Sequence, residues 1–152
     1  MIPQPETRPI PAKAMVRLLR DYTVICRGHH IVVPVAFPFD GASVPPQGWH
    51  ATYTPWHPVV LGPACVHDWI YVSHQVSKAE ADLIFHDLLI ANGASAYRAW
   101  LMREAVEMFG GSAWEHSDED VEKLRTLYRV IRRRTNFEEY HFPVHLIEES
   151  QP

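Results

Sequence analysis

The fold is decided by the stretch from Val59 to Gly93, VVLGPACVHDWIYVSHQVSKAEADLIFHDLLIANG. Apolar residues recur there at helical spacing twice, over about Val59–Val72 and again from Ser77 to just before Gly93. In the second run, Ala81, Ile84, Phe85 and Leu88 make the i, i+3, i+4, i+7 face. Ser77-Lys78-Ala79-Glu80 has the form of a capping box, and Gly93 suits the position just past a helix end. The break at Ser73–Val76 is short, which folds the two helices into an antiparallel hairpin.

Upstream, Met15–Cys26 and His29–Phe37 are rich in Val, Ile, Leu and Tyr and flank Arg27-Gly28, which predicts a β-hairpin. Pro34 must lie at an edge or a bulge, because proline has no N–H to give the ladder. Residues 1–13 form an extended, proline-punctuated arm that needs a surface to lie against, its own domain's or a partner's. Pro38–Pro58 is a long loop with Trp49, Tyr53 and Trp56, and long loops within a domain are often functional. Downstream, a third helix is expected over about Ala96–Phe109, with Leu101, Ala105 and Met108 inward and a stop at Gly110-Gly111. A fourth, about Asp118–Arg134, opens with acids and closes with arginines, as the helix dipole favours. From Asn136 onward no period is visible. The expectation is an α+β fold: an N-terminal β-hairpin packed on a bundle of about four helices, with the proline-rich loop over the interface of the first two. Residues 1–13 are the arm, 14–111 one core domain, and 112–152 a C-terminal helix with an extended tail.

The 152 residues are enough for one domain, and 47% hydrophobic with 21% charged excludes a wholly disordered chain. No run approaches the roughly 18–20 apolar residues of a membrane span. A net charge of −4 argues against a general nucleic-acid binder, which needs a basic face for phosphates. Two cysteines, Cys26 and Cys65, are too few for a disulfide scaffold, and the first twenty residues hold no apolar signal segment. The unusual count is ten histidines, and one of them falls inside the decisive stretch.

His67 lies in the stripe of Val60, Ala64, Ile70 and Tyr71, so its ring should face the core, with Asp68 at the margin of that face. Asp82 borders the apolar face of the second helix. In an antiparallel hairpin, His67 and Asp82 are about equally far from the turn, and at ~1.5 Å per residue they stand level across the interface. A carboxylate opposite a histidine fixes its tautomer and stabilises the imidazolium, as a general base or a metal-ligating histidine requires. Asp68 would then hold a cation. The same spacing equally fits a buried pair that only joins two helices. Upstream, Asp40-Gly41 in the turn Phe39–Pro45 offers a carboxylate to an ion, or is an Asx-type turn with a structural Ser43. A Ser43–His67–Asp82 triad lacks the G-x-S-x-G elbow. Asp82 and His86 stand at i, i+4 and could share a metal, but His86 points away from the helix interface; the pair His29-His30 alternates faces on a strand and reads as surface, His141 and His145 have no partner visible, and Cys65 points away from His67 on a helix.

Four runs, Phe37–Pro45 (FPFDGASVP), Ala64–Tyr71 (ACVHDWIY), Ser77–Leu88 (SKAEADLIFHDL) and Arg98–Gly110 ending in AVEMFG, together resemble domain-of-unknown-function family 1353. That family is found largely in tailed phages and their prophages, and the resemblance covers roughly residues 15–110. It implies a phage origin and no activity. More locally, a helix with His-Asp-x-x-Tyr followed by one with Ala-Asp-x-x-Phe is similar to the secreted and parvoviral phospholipase A2 group. That likeness implies His67 as the base that activates water, Asp82 as its orienting carboxylate, and Asp68 as a calcium ligand. Only Asp40-Gly41 stands where that group has a glycine-rich calcium loop, and its disulfides are absent.

The resulting expectation is a virion protein of the tail or baseplate, made in the host cytoplasm, that helps breach the envelope. Its site would combine His67 and Asp82 with calcium or zinc at Asp68 and Asp40, acting on lipid or peptidoglycan. The arm and tail would contact other phage structural proteins. The alternatives are a structural virion protein with His67–Asp82 as a polar clamp, and a small host-takeover protein.

Overall fold

The computed structural model describes residues 1–42, 44 and 46–148. It is a mixed α+β fold with two small antiparallel sheets followed by helices. The predicted hairpin forms as β3 (Tyr22–Cys26) and β4 (His29–Val33), in register from Tyr22 opposite Val33 to Cys26 opposite His29. Arg27 and Gly28 take φ of 51° and 79°, the two positive angles that a two-residue hairpin loop uses.

Both strands are shorter than the apolar pattern implies. Ahead of β3 the chain bends at Leu19–Asp21, and the residues before it form β2 (Val16–Leu18) in a separate sheet. After β4, Pro34 offers no N–H, Ala36 takes φ 70°, and the chain turns to form β5 (Pro38–Phe39). The second sheet runs β1 (Thr7–Pro9), β2, β5. The N-terminal arm therefore lies on its own domain: β1 pairs with β2, and Tyr22 donates to the Pro3 carbonyl at 2.6 Å.

Helix α1 (Pro58–Ser73) is the central element and is buried on nearly every side. His57 Nδ1 caps its start by accepting from the Val59 amide, and His74, in the left-handed region at φ 52°, ends it. Pro63 inside the helix cannot donate to the Val59 carbonyl. The Asn92 side chain does so instead, donating to the Pro58 and Val59 carbonyls at 2.9 Å each. Helix α2 (Lys78–Ala91) starts at Ser77, which accepts from the Glu80 amide, but only half of the expected capping box forms. The Glu80 carboxylate turns instead to Arg27 and His29 of the hairpin. The full capping box belongs to α5 (Asp118–Ile131), between Ser117 and Asp120.

Helix α3 (Ala96–Phe109) has the predicted bounds, but its inward stripe is Ala99, Met102 and Val106. Ala105 and Met108 are exposed and Leu101 half-buried, a correction of about one position around the helix. A four-residue turn, α4 (Gly111–Trp114), leads to α5, which ends at Ile131 so that Arg132–Arg134 lie beyond it. Up to Glu148 the tail is not extended: a 3-10 turn (Phe137–Tyr140) and α6 (Val144–Glu148) return to the core, and the rest of the expected tail, 149–152, lies outside the described residues.

Two apolar clusters flank α1. One joins the hairpin, one side of α1 and the C-terminal segment through Leu124, Leu127, Ile131, Tyr140, Phe142 and Ile147. The other joins the opposite side of α1 to α2, α3 and the loop residues Ala42 and Tyr53. Among the described residues no helix is long and apolar enough to cross a membrane.

Candidate functional site

His67 and Asp82 meet as the hairpin register requires. Nε2 of His67 is 2.9 Å from Oδ1 of Asp82, with His67 6% and Asp82 1% exposed. Two further groups complete the carboxylate's shell. Tyr71, one turn beyond His67, donates its hydroxyl to the same oxygen at 2.7 Å. Lys78, one turn before Asp82 on α2, donates to Oδ2 at 2.8 Å and to the Val106 carbonyl of α3 at 3.0 Å. Tyr71 can sit this close to α4 because residue 110 is glycine: a Cβ there would stand 2.6 Å from the tyrosine oxygen.

The electrostatics give each group a defined state. Burial disfavours an ionised Asp82, but the hydrogen bonds from His67, Lys78 and Tyr71 outweigh it and hold its pKa below the usual carboxylate value. For His67 the balance is reversed. Burial pushes its pKa down by more than the Asp82 hydrogen bond raises it, and Lys78 adds to the fall. A neutral imidazole that donates Nε2–H to Asp82 has its lone pair on Nδ1. Nδ1 has no hydrogen-bond partner among the described residues, and the ring borders a cavity of about 370 Å³. The cavity walls are apolar: Ala42 and Val44 of the loop, Phe85 of α2, and Met102 and Val106 of α3. Ala42 and Val44 belong to the proline-rich loop, which lines this cavity together with α1 and α3.

Asp68 stands between this cavity and a second one of about 460 Å³, and Tyr71 and Ala113 share the partition. As a residue Asp68 is only half-buried, because it borders open space on two sides. It makes no hydrogen bond or ion pair among the described residues. Burial, and next the charge on Asp40, push its pKa well above the usual range, while Lys123 opposes them. Asp40 borders the second cavity, and Gly41 takes φ 74° as the turn reading requires.

Asp68 and Asp40 are thus brought to one chamber. Among the described residues, however, no group of three His, Cys, Asp or Glu side chains is placed to hold a metal ion. Structural and catalytic zinc sites take about three or four protein ligands, and calcium takes about six to eight oxygens. These side chains do not make such a cage.

Ser43 lies outside the described residues. His86 bonds Asp87, His29 faces Glu80, and His30, His141 and His145 are exposed, so none of them joins the site. Cys65 faces the cluster on the far side of α1, where burial pushes its thiol pKa well up. Sequence reasoning placed Lys78 in the capping box and Tyr71 in the core stripe, and gave neither a role at the site. Lys78 was signalled by its i, i+4 spacing to Asp82, and Tyr71 by its i+4 spacing to His67.

The family described as "Protein of unknown function (DUF1353)" matches residues 16–106. The chain is similar to the uncharacterized protein y4iH of Sinorhizobium fredii (strain NBRC 101917 / NGR234), with 34% identity over 71 residues. The match covers 47% of this chain and 30% of that relative's length. No solved structure matches the chain.

Proposed function

Since the chain belongs to the DUF1353 family, whose description names no activity, we propose a function from the site itself: a hydrolase-like centre in which His67 is the general base. The observation that carries this reading is a neutral histidine, fixed by a buried carboxylate, whose second ring nitrogen has no partner and whose ring borders an apolar cavity. A water bound between Nδ1 and an ester or amide carbonyl gives a proton to Nδ1 as its oxygen attacks the carbon. Asp82 stabilises the imidazolium so formed. The proton then passes to the leaving oxygen or nitrogen, and the imidazole is neutral again. Tyr71 and Lys78 are positioning residues, since they hold Asp82 and touch no reacting atom. The setting proposed for this chemistry is the virion of a tailed phage, at the tail or baseplate, supported by the motif runs that resemble that family. Detection of the chain in purified particles by mass spectrometry tests it.

A second reading has its own support. Lys78 ties Asp82 to the α3 backbone, so the same four groups clamp three helices together and would do so in a purely structural protein. Activity separates the two. Wild type and His67→Gln, matched for thermal stability, are assayed on p-nitrophenyl butyrate, phosphatidylglycerol vesicles and peptidoglycan. The hydrolase reading expects turnover of one of these to fall about 10²–10⁴-fold in the variant. No turnover, or equal turnover by both proteins, would leave the clamp.

A further inference from the structure

The larger cavity is an acidic chamber, in which Asp40, Asp68, Glu119 and Asp120 face Lys123. The smaller one, beside His67, differs in kind. Among the described residues its ionisable side chains are His67, Asp68 and Tyr71, with no lysine or arginine. Its deep wall is buried and apolar, made by Ala42, Ala64, Phe85 and Met102. Ala105, Phe109 and Ala113 also line it but are exposed, Phe109 by 75%, so they mark its mouth, where α3 passes into α4. Asp68 stands half-buried at the partition with the acidic chamber. The other polar side chains of the wall are spent, with one exception. Thr52 donates its hydroxyl to the Gly48 carbonyl at 2.9 Å, and Tyr71 donates to Asp82. What remains is the lone pair on Nδ1 of His67. Such a wall holds an apolar body and one hydrogen-bond donor, and it leaves an anionic group unpaired. An apolar cavity of ~150 Å³ holds a benzene molecule, so one of about 370 Å³ takes on the order of ten to fifteen non-hydrogen atoms.

We propose that the smaller cavity is an acyl-chain pocket, which takes an uncharged ester by an aliphatic chain of up to about ten carbons, laid against Phe85 and Met102 with the carbonyl beside His67. The statement that this ester is cleaved rests on the hydrolase reading of His67; the pocket itself does not. In the cleavage, the oxygen of water bonds to the acyl carbon and its proton goes to Nδ1. The carbon–oxygen bond of the ester then breaks, and the proton passes to the departing alcohol oxygen. The products are an alcohol and a fatty acid. Once ionised, the acid meets no lysine or arginine among the described lining residues, so the pocket that draws in the neutral ester releases the charged product.

Binding is tested without catalysis on the wild-type chain, carrying carbon-13 in its methionine methyl groups and titrated with octanol below its solubility limit. The Met102 methyl should shift and saturate, while Met15, in the wall of the acidic chamber, should not move. Affinity should rise about four-fold per methylene from butanol to octanol. Octanoate should bind at least about ten-fold more weakly than octanol. Ala105→Trp, at an exposed position of α3, narrows the mouth without entering the core and should weaken octanol binding at least about ten-fold. A Met102 methyl that ignores octanol, an affinity flat in chain length, octanoate binding as well as octanol, or full binding by Ala105→Trp overturns the pocket. Cleavage is read separately, on p-nitrophenyl esters from acetate to octanoate: kcat/KM should climb with chain length in wild type and collapse in His67→Gln. His67-dependent cleavage that is indifferent to chain length would overturn the acyl pocket and leave the catalytic reading standing. Saturable octanol binding at Met102 without any His67-dependent cleavage would do the reverse.

Discussion

Asp82 holds the site together because three donors converge on one buried carboxylate, and the energetics of that side chain are asymmetric. Asp82→Asn removes the charge that Lys78 faces and forces an amide among three donors. Breaking a fully buried pair costs about 3–5 kcal/mol; with Lys78 24% exposed and able to turn to water, the expected loss is about 2–4 kcal/mol. Tyr71→Phe removes one neutral hydrogen bond and should cost only about 1 kcal/mol. Chemical denaturation checks both. The pH dependence follows from the same shell. The pKa values of both His67 and Asp82 are depressed by folding, so the unfolded chain takes up protons first as pH falls. Their stabilisation is therefore complete above the ordinary histidine value of about 6.5. The His67 part is lost as pH falls from there through its folded pKa, and the Asp82 part below the ordinary carboxylate value of about 3.9. Asp68 has the opposite sign. Its raised pKa stabilises the fold at low pH, and that contribution is lost as pH rises from about 3.9 through its folded pKa. Asp68→Asn should consequently flatten the decline between about 3.9 and the folded pKa of Asp68 and raise Tm above it, as thermal melts at several pH values would show.

At the scale of single elements, the helices were legible in the sequence and the strands only in part. Helix α3 starts and stops where its periodicity and glycines say, and the turn at Arg27-Gly28 is the predicted one. The strands were overextended because Pro34–Ala36 continues the apolar composition while breaking the ladder, and Leu19–Asp21 holds no glycine or proline to mark the bend. Their backbone is turned by tertiary contacts, with Asp21 accepting from the Val35 amide and from Arg134, Asn136 and Tyr140 more than a hundred residues away. No local pattern carries such a partner. The His67–Asp82 pair was legible because both residues sit on one helical hairpin, whose register is set by a short turn. The acidic chamber was not, because a third of its lining residues come from α5, far along the chain. Pro63 makes the same point inside α1. It leaves the Val59 carbonyl without its helical donor, and Asn92 at the end of α2 supplies one. Asn92→Ala should then cost about 1–3 kcal/mol, since it strands buried carbonyls rather than merely deleting a contact. Native-state hydrogen exchange would localise the loss to the first turns of α1, and protection unchanged there would show that the carbonyls find another partner.

For the whole molecule the question is what the residues beyond the family match contribute. Residues 16–106 contain His67, Asp68, Tyr71, Lys78 and Asp82, so the complete imidazole–carboxylate shell lies within the matched segment. They do not contain the wall of the acidic chamber made by His116, Glu119, Asp120 and Lys123. Nor do they contain Leu124, Leu127, Ile131, Tyr140, Phe142 and Ile147, which close the larger apolar cluster over Leu18, Ile31, Val33 and Trp69. Fully burying one such side chain is worth about 1.5–3 kcal/mol, so six of them together are comparable to the whole net stability of about 5–15 kcal/mol typical of a domain. A chain ended after Gly111 should therefore lose cooperative unfolding, with its apolar sheet face left open to water. Differential scanning calorimetry of the truncated and full chains decides this. A sharp transition in the truncated chain would mean that residues 112–148 are an accessory built onto a self-sufficient core. Their loss would then remove only part of the wall of the acidic chamber, with the His67–Asp82 pair intact. A broad, non-cooperative melt would mean that the two chambers and the core are one construction, and that no shorter form of this chain can hold His67 against Asp82.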